Sequence, residues 1–401
     1  MKQAPLQLEE AQKRLLDLAD PLPIENVDVP AALGRYLAEP LIAKRTQPPA
    51  DLSAMDGYAV LYEEMAGPWR VIGESAAGHP FGGEVRSGEA VRIATGALMP
   101  GGAGAVILQE DLSRENDHLK LTGEPPAPAD RHIRRRGMDF ADGDTVLAAG
   151  TAIGPAQSAL AISTGNAKIA VRRKPRVMVI DSGDELSADC ESCAPHQIPA
   201  SNGIMLAALA ASIPCEIARL GPVADDMDAL AAVLAKAENA DVIVTSGGAS
   251  VGDHDLIKPA LEAWGAEIDF WRVAIKPGKP ILMARRGSQI VLGLPGNPVS
   301  SHVTAFLFLL PLLRTLLGAA APLPRRVETK LSVSLKANGP RREFQRAYWD
   351  GSNIAPLTVQ DSGALAALAA SNALIDRPAN AVEAKPGDPV FAYLLENGCT
   401  A

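Results

Sequence analysis

The sequence predicts a multidomain α/β plus β fold: a parallel-sheet α/β domain, an inserted β-rich domain, a helical N-terminal region and a small C-terminal β-barrel or sandwich. Three observations carry this. The run VMVID and the later DVIVTSGG are near-continuously apolar, as strands buried on both faces must be, and helical stretches alternate with them. Between residues 46 and 146 short apolar pairs are separated by turn residues, the spacing of a β-rich unit. At 401 residues the chain is too long for one ordinary core, and two to four domains are expected.

Element by element, MKQAPLQLEEAQKRLLDLAD is a charged amphipathic helix, and the prolines of PLPIENVDVPAALGRYLAEPLIA break further helix. SAMDGYAVL, WRVIGES, AVRIATGA, GAVILQE, HLKLTG and DTVLAAG supply strands. TAIGPAQSALAISTGNAKIA reads as a helix followed by a turn, and its return to the N-terminal region makes the β-rich part an insertion. The α/β part follows: VMVID as strand, SNGIMLAALAAS as helix, EIARLGPV as strand, DDMDALAAVLAKAEN as helix, DVIVTSGG as strand, IKPALEAWG as helix. Right-handed crossovers between parallel strands then cover both faces of the sheet. AAAPLPRR is a linker, after which VETKLSVSL, EFQRAYWD, ALIDRP and DPVFAYLL return to strands. The expected boundaries are 1–45 with 147–174, 46–146, 175–322 and 323–401.

A net charge of −9 argues against nonspecific nucleic-acid binding, which needs a basic face. Four cysteines without a regular framework point to a reducing compartment. Cys190, Cys193 and His196 have the spacing of half a zinc site, with no second half evident. The N-terminus lacks the apolar core of a signal peptide, and the stretch 303–317, interrupted by Pro311 and Arg314, falls short of the ~20 residues of a membrane span. A buried helix and a cytoplasmic protein are expected, with no membrane and no nucleic-acid partner.

Residues 241–301 hold the strongest functional signal, because apolar runs there end three times in loops rich in Gly, Pro and charge. Glycines leave backbone N–H groups free to face an anion. In SGGASVGDHD, Ser246, Gly247, Gly248 and Ser250 can present donors to a phosphate. Asp253 and Asp255 would repel it unless a hard cation such as Mg²⁺ bridges them; the plainer alternative is a Gly-rich turn with solvated acids. KPGKP places Lys276 and Lys279 on a stiff turn, as phosphate-facing point charges or as exposed surface lysines. LPGNPVS (Pro295, Gly296, Asn297, Pro298, Ser300) precedes an apolar helix that Ser300 or Ser301 can cap; an ordinary strand-to-helix turn reads the same way. Asp184 and Glu185 follow the first α/β strand, where they can meet a heterocycle's N–H groups or a metal. Asp225 and Asp226 follow the next strand, with an acid pair at a helix N-terminus equally open. Asp56 and Thr95 precede glycines and are turn residues first. The arginines 134–136, and Arg341, Arg342 and Arg346, can clamp an anion or lie solvated.

MDGYAV, RIATGALMP, GMDF…GD, SGDEL, TSGGASVGDHD, AIKPGKP, LGLPGNPVS and RREFQRA, in that order, resemble the molybdopterin molybdenumtransferases, the MoeA family related to the gephyrin E domain. The resemblance spans roughly residues 7–350. It implies an elongated homodimer with a helical dimerisation region, a molybdopterin-binding α/β domain and a C-terminal β-barrel. It also implies Mg²⁺-dependent insertion of molybdate into adenylylated molybdopterin with release of AMP. On this view Asp56, Thr95, Asp139, Glu185, Asp225, Asp226, Asp255, Lys276 and Lys279 are catalytic, and Glu185, Asp253 and Asp255 hold metal. Asp184, Ser246, Gly247, Gly248, Ser250, Pro295, Gly296, Asn297, Pro298, Ser300 and Arg342 bind the substrate. Asp56, Thr95 and Asp139 would reach the cleft from the partner subunit. Molybdopterin adenylyltransferase and recipient molybdoenzymes are the implied protein partners. Gly104 departs from the family's usual Asp, which is expected to loosen a turn, and Ser182 from its usual Thr. Two competing readings remain at this point: an adenylyltransferase, suggested by the α/β part alone, and a non-catalytic gephyrin-like scaffold.

Overall fold

Apolar runs and strands coincide closely in the computed structural model, which describes residues 4–247 and 256–395. The central sheet has six strands in the spatial order Glu216–Val223, Arg176–Ser182, Val242–Ser246, Gln289–Leu294, Pro280–Arg286 and Glu267–Arg272. Side chains alternate between its faces with the period of two that a strand imposes. Val242 and Val244 pack on one side with Leu292 and the apolar helical stretch beyond it. Ile243 and Val291 pack on the other with Leu230, Leu234 and Leu261.

The expected all-parallel sheet is corrected at one edge. The first four strands are parallel, but Pro280–Arg286 runs antiparallel to both of its neighbours. The cause is local: Arg286 pairs with Gln289 across a two-residue turn in which Gly287 has φ 59°. A turn that tight joins only antiparallel strands. The reversal has a consequence for the loop 276–280. Glu267–Arg272 runs parallel to Gln289–Leu294, two strands away, so this loop emerges at the same carboxyl edge as the turns after Ser182, Ser246 and Leu294.

Residues 298–316 form one continuous helical run, Pro298–Thr304 and Leu310–Leu316 in α geometry with a π segment Ala305–Leu309 between them. Its length and apolarity match a membrane span, yet most of it is buried inside the protein, as a core helix is. Pro311 does not end the helix as its chemistry suggests. It lacks the N–H that would bond the Leu307 carbonyl four residues back, and Gln12 Nε2 donates to that oxygen instead at 2.8 Å. Gln12 is buried on the N-terminal helix Leu8–Leu16. Gln12→Leu is therefore expected to cost about 1–3 kcal/mol, the penalty of an unsatisfied buried carbonyl, read as a lowered thermal midpoint. An unchanged midpoint would mean the bond contributes nothing.

The expected return of the chain is observed. Ile24–Asp28 pairs antiparallel with Lys168–Arg172, and Leu41–Ile42 with Thr145–Leu147, tying the segments on either side of the insertion. The helix at 155–163 and the turn after it, at Thr164 and Gly165, are as expected, and the strand Lys168–Arg172 that follows was not. KIAVR is short and flanked by charge, and only its partner strand makes it extended.

Inside the insertion a second six-stranded sheet runs Ala105–Leu108, Gly57–Val60, Glu89–Ile93, Trp69–Ser75, His118–Leu121 and Leu112–Glu115. Gly57 of the MDGYAV motif lies against the next strand so closely that a Cβ would sit 2.1 Å from the Ile107 carbonyl oxygen. Gly104 does not loosen its turn: a Cβ there would meet Tyr62 Cβ at 2.8 Å, so glycine permits a tight approach. At the C-terminus, Arg342–Trp349 pairs with both Asn353–Pro356 and Ala373–Arg377, closing a five-stranded barrel with Val327–Leu331 and Pro389–Leu394. Closure decides between barrel and sandwich.

Candidate functional site

Four turns meet at the carboxyl edge of the central sheet. Gly247, with φ 98°, lies beside the Ser182 carbonyl, at 3.2 Å from its would-be Cβ, and next to Gly296, whose own would-be Cβ is 3.9 Å from the Gly247 Cα. Gly278 of KPGKP, also at φ 98°, packs on the helix that begins at Pro298, where a Cβ would be 2.4 Å from Thr304 Cγ2. Gly247 and Gly278 are required by conformation, and Gly278 by space as well. Pro295 is buried at the end of its strand, while Gly296 and Asn297 are exposed. Pro298 starts the helix at its first position and the Val299 N–H is taken by the Ser362 carbonyl, so what the helix start turns toward this edge is the positive end of its dipole.

Some serines have other tasks than those expected. Ser300 and Ser301 do not cap the helix; they lie buried within it, because the fixed φ of Pro298 starts it earlier. Ser246 is buried and its Oγ accepts from Asn202 Nδ2 at 2.9 Å. Asn202 also donates to the Gly296 carbonyl at 2.6 Å, so one amide links two of the turns. The sequence reading missed this role, which no motif spacing announces.

Lys276 is ion-paired with Glu343 of the barrel at 2.6 Å, since Ile275–Lys276 leaves the central sheet to pair with the barrel strand. Lys279 is exposed, and among the described residues it forms no ion pair. The acids gather on the other side of the Gly183 turn. Asp184 Oδ1 accepts from the Asp225 N–H at 3.1 Å. Burial, together with the negative charges of Asp184 and Glu185, pushes the Asp225 carboxyl above its usual range. Glu185 folds back over Gly183, its Oε2 only 2.5 Å from a would-be Cβ there. Asp226 is the N-cap of Met227–Lys236, accepting from Asp228 and Ala229 N–H at 3.1 and 2.9 Å, which is the structural alternative left open for it.

Gly248, Ser250, Asp253 and Asp255 lie outside the described residues. Among the described residues no three His, Cys, Asp or Glu side chains converge as a metal site, the Cys190–Cys193–His196 group included.

Asp56 and Thr95 come together in the inserted sheet. The Thr95 N–H donates to Asp56 Oδ1 at 2.7 Å and, with the Thr95 side chain, holds that exposed carboxyl below its usual range. Asp139 is exposed nearby in sequence to the arginine run, its N–H bonded to the Gln47 carbonyl. Among the described residues, the hydrogen bonds of all three stay within residues 47–139 and do not reach the central sheet of the same chain. Arg135 is committed to Asp51 and Asp130.

The anion role expected of Arg342 is corrected. Its Nε and Nη2 bind Asp376 at 2.6 and 2.5 Å, and Nη1 binds Glu9, so no donor edge remains for a ligand. Arg346 is the better placed arginine. It is 1% exposed, its Nη2 donates to the Val359 carbonyl at 2.9 Å, and Nε and Nη1 have no partner among the described residues. The loop it supports reaches the helix start through Val299 N–H to Ser362 O at 3.1 Å. The signal was present in RREFQRA: Phe344 and Arg346 share one strand face, and that face is buried.

An α/β domain with glycine turns, a helix start and lysine at one edge, joined to an inserted sheet and a closed barrel, is the architecture of a protein suited to an anionic organic ligand. Family models match in the same order: MoeA N-terminal region (domain I and II) at residues 6–165, a probable molybdopterin binding domain at 178–315, and MoeA C-terminal region (domain IV) at 328–395. The molybdopterin molybdenumtransferase of Haemophilus influenzae is 36% identical over 363 residues, covering 89% of each chain. That of Staphylococcus aureus MRSA252 is 30% identical over 408 residues, covering 99% of this chain and 97% of its own. The crystal structure of the molybdopterin biosynthesis MoeA protein from Pyrococcus horikoshii OT3 aligns with TM-score 0.84 and 29% identity, over 98% of this chain and all of that one. The chain belongs to the MoeA family of molybdopterin molybdenumtransferases.

Proposed function

We propose that the protein is a transferase of molybdenum cofactor biosynthesis that inserts molybdate into the dithiolene of adenylylated molybdopterin, releasing AMP. The observation that carries this reading is the meeting of the Gly247, Gly278 and Gly296 turns with the helix start at Pro298 on one edge of the sheet. Exposed backbone N–H groups, the helix dipole and the Lys279 ammonium suit the phosphates of the substrate and molybdate itself. Arg346 supports the wall beside the helix start.

Asp184 and Glu185 lie near Asp225, whose carboxyl is raised first by burial and then by their negative charges. Carboxylate oxygens are the donors Mg²⁺ takes, and the residues that would hold it are Glu185 with Asp253 and Asp255. When bound, it neutralises charge on the phosphoanhydride oxygens and on departing AMP. Lys279 adds fixed positive charge to the same leaving group, and the glycine turns exclude side chains so that the phosphates approach backbone donors. The turns hold the dithiolene beside molybdate, removing the entropy of a bimolecular encounter. No step calls for a covalent nucleophile.

Asp56, Thr95 and Asp139 complete the cleft from a second subunit on this reading. A homodimer is supported by apolar side chains left exposed on the N-terminal module: Leu33 and Ile162 are each 55% exposed, and of Pro155–Ser163 only Ala161 is buried. The reaction belongs to the cytoplasm, where an adenylyltransferase would deliver the substrate and recipient molybdoenzymes would take the product.

Purified protein with adenylylated molybdopterin, Mg²⁺ and molybdate is expected to release AMP and form active cofactor. Asp255→Asn and Lys279→Ala should each slow AMP release by roughly tenfold to a thousandfold, the range for removing one charged contact to a transition state. Mixing Asp56→Ala and Lys279→Ala protomers equally should restore about a quarter of wild-type activity, since half the dimers then carry one intact cleft. Full activity of the single variants would overturn the site assignment, and no rescue on mixing would overturn the shared cleft.

A further inference from the structure

Asp181, the residue before the end of Arg176–Ser182, is an acid where a buried strand is otherwise apolar. Its side chain is 3% exposed, and Arg219 on the adjacent strand approaches no closer than 4.0 Å. Oδ1 has no hydrogen-bond partner among the described residues. The other oxygen fills a niche that only glycine leaves open, for a Cβ on Gly203 would stand 1.9 Å from Oδ2. Gly203 is the second residue of the helix Asn202–Ala210, and its N–H donates to the carboxylate. Ser201, at the N-cap of that helix, provides no side-chain cap of its own. Asp181 therefore caps the helix from across space.

The first residue of the same helix is Asn202, whose amide binds Ser246 Oγ and the Gly296 carbonyl. We infer that Asp181, Gly203 and Asn202 form a positioning strut: the buried carboxylate seats the helix start, and Asn202 sets the spacing between the turns after Ser246 and Leu294 that form the anion cradle. None of the three touches the ligand. The arrangement accounts for a feature that stability alone does not, a carboxylate placed out of water with one oxygen unpaired. Its return is geometric. A cradle whose backbone donors must lie within a few tenths of an ångström is held by locked neighbours.

The strut rests on the proposed reaction only for its kinetic test, and amide hydrogen exchange in the ligand-free protein tests it separately. In Asn202→Ala the amides of Gly247 and Gly296 should exchange at least about tenfold faster, with the barrel strands unchanged. With adenylylated molybdopterin as substrate, Gly203→Ala should raise KM about tenfold while kcat changes less than about threefold, because the groups that act on the substrate remain. Asp181→Asn, which keeps the side chain seated beside Gly203, should leave KM within about threefold of wild type. Unchanged exchange in Asn202→Ala overturns the strut whether or not the protein turns over. So does an unchanged KM in Gly203→Ala. A wild type that releases no AMP but whose Asn202→Ala variant loosens both turns would retain the strut and remove the proposed reaction.

Discussion

Asp376→Ala should destabilise the barrel by about 3–5 kcal/mol, the cost of stranding a buried charge. The Asp376 side chain is 1% exposed and Arg342 15%, so the bidentate pair is shut away from water. Arg326 adds a third contact to Asp376 at 3.3 Å. Without the carboxylate, Arg342 keeps only Glu9, an exposed residue on the N-terminal helix. The same residues thus tie barrel to helix, and the loss should appear as an early thermal transition reported from the barrel. Replacing the pair together, Arg342→Met with Asp376→Leu, should cost far less, because no charge is then left unpaired. A single Asp376→Ala variant within 1 kcal/mol of wild type, on the order of an exposed pair, would show that the tie contributes little.

The second large effect is pH-dependent. Burial raises the Asp181 carboxyl from its ordinary 3.8 to about 6, against the opposing pull of Arg219 and the Gly203 N–H. A carboxyl whose folded pKa exceeds its unfolded one binds protons more readily in the folded state. It therefore penalises folding above about pH 6, and that penalty fades as pH falls from 6 to 3.8. At 1.36 kcal/mol per unit the full penalty is about 3 kcal/mol. Asp181→Asn, which keeps the shape of the side chain, should accordingly be more stable than wild type by up to about 3 kcal/mol at pH 8 and equal to it near pH 4. Denaturation midpoints at the two pH values measure this. A variant less stable at pH 8 would mean that the carboxylate's bonds outweigh its desolvation.

Much of the fold was legible because burial on both faces writes itself into composition. VMVID, DVIVTSGG and IVLGLPG could be nothing but strands flanked by covering helices, and their loops had to lie at the carboxyl edge. The glycine and proline positions in those loops were equally legible, since each marks a conformation that other residues resist. The antiparallel edge was not. It depends on a two-residue turn around Gly287, within a run that reads as any other strand.

The partners of polar side chains were the least legible. Arg342 and Arg346 stand four residues apart in RREFQRA, and one is consumed by Asp376 while the other keeps unpaired donors beside the helix start. Ser246 looked like a ligand donor and instead receives Asn202, from a different helix. Pro311 interrupts the apolar stretch in sequence, and Gln12, some three hundred residues earlier, supplies the donor that its ring lacks.

Residue chemistry read along the chain was enough for the layers and the family, because those follow from local periodicity and from motifs that are themselves local. Which acid faces which cation, and which hydroxyl is left for a ligand, was settled only by folding. A hydrogen bond or ion pair needs two groups within about 3 Å, and residues far apart in sequence meet at that distance only through packing.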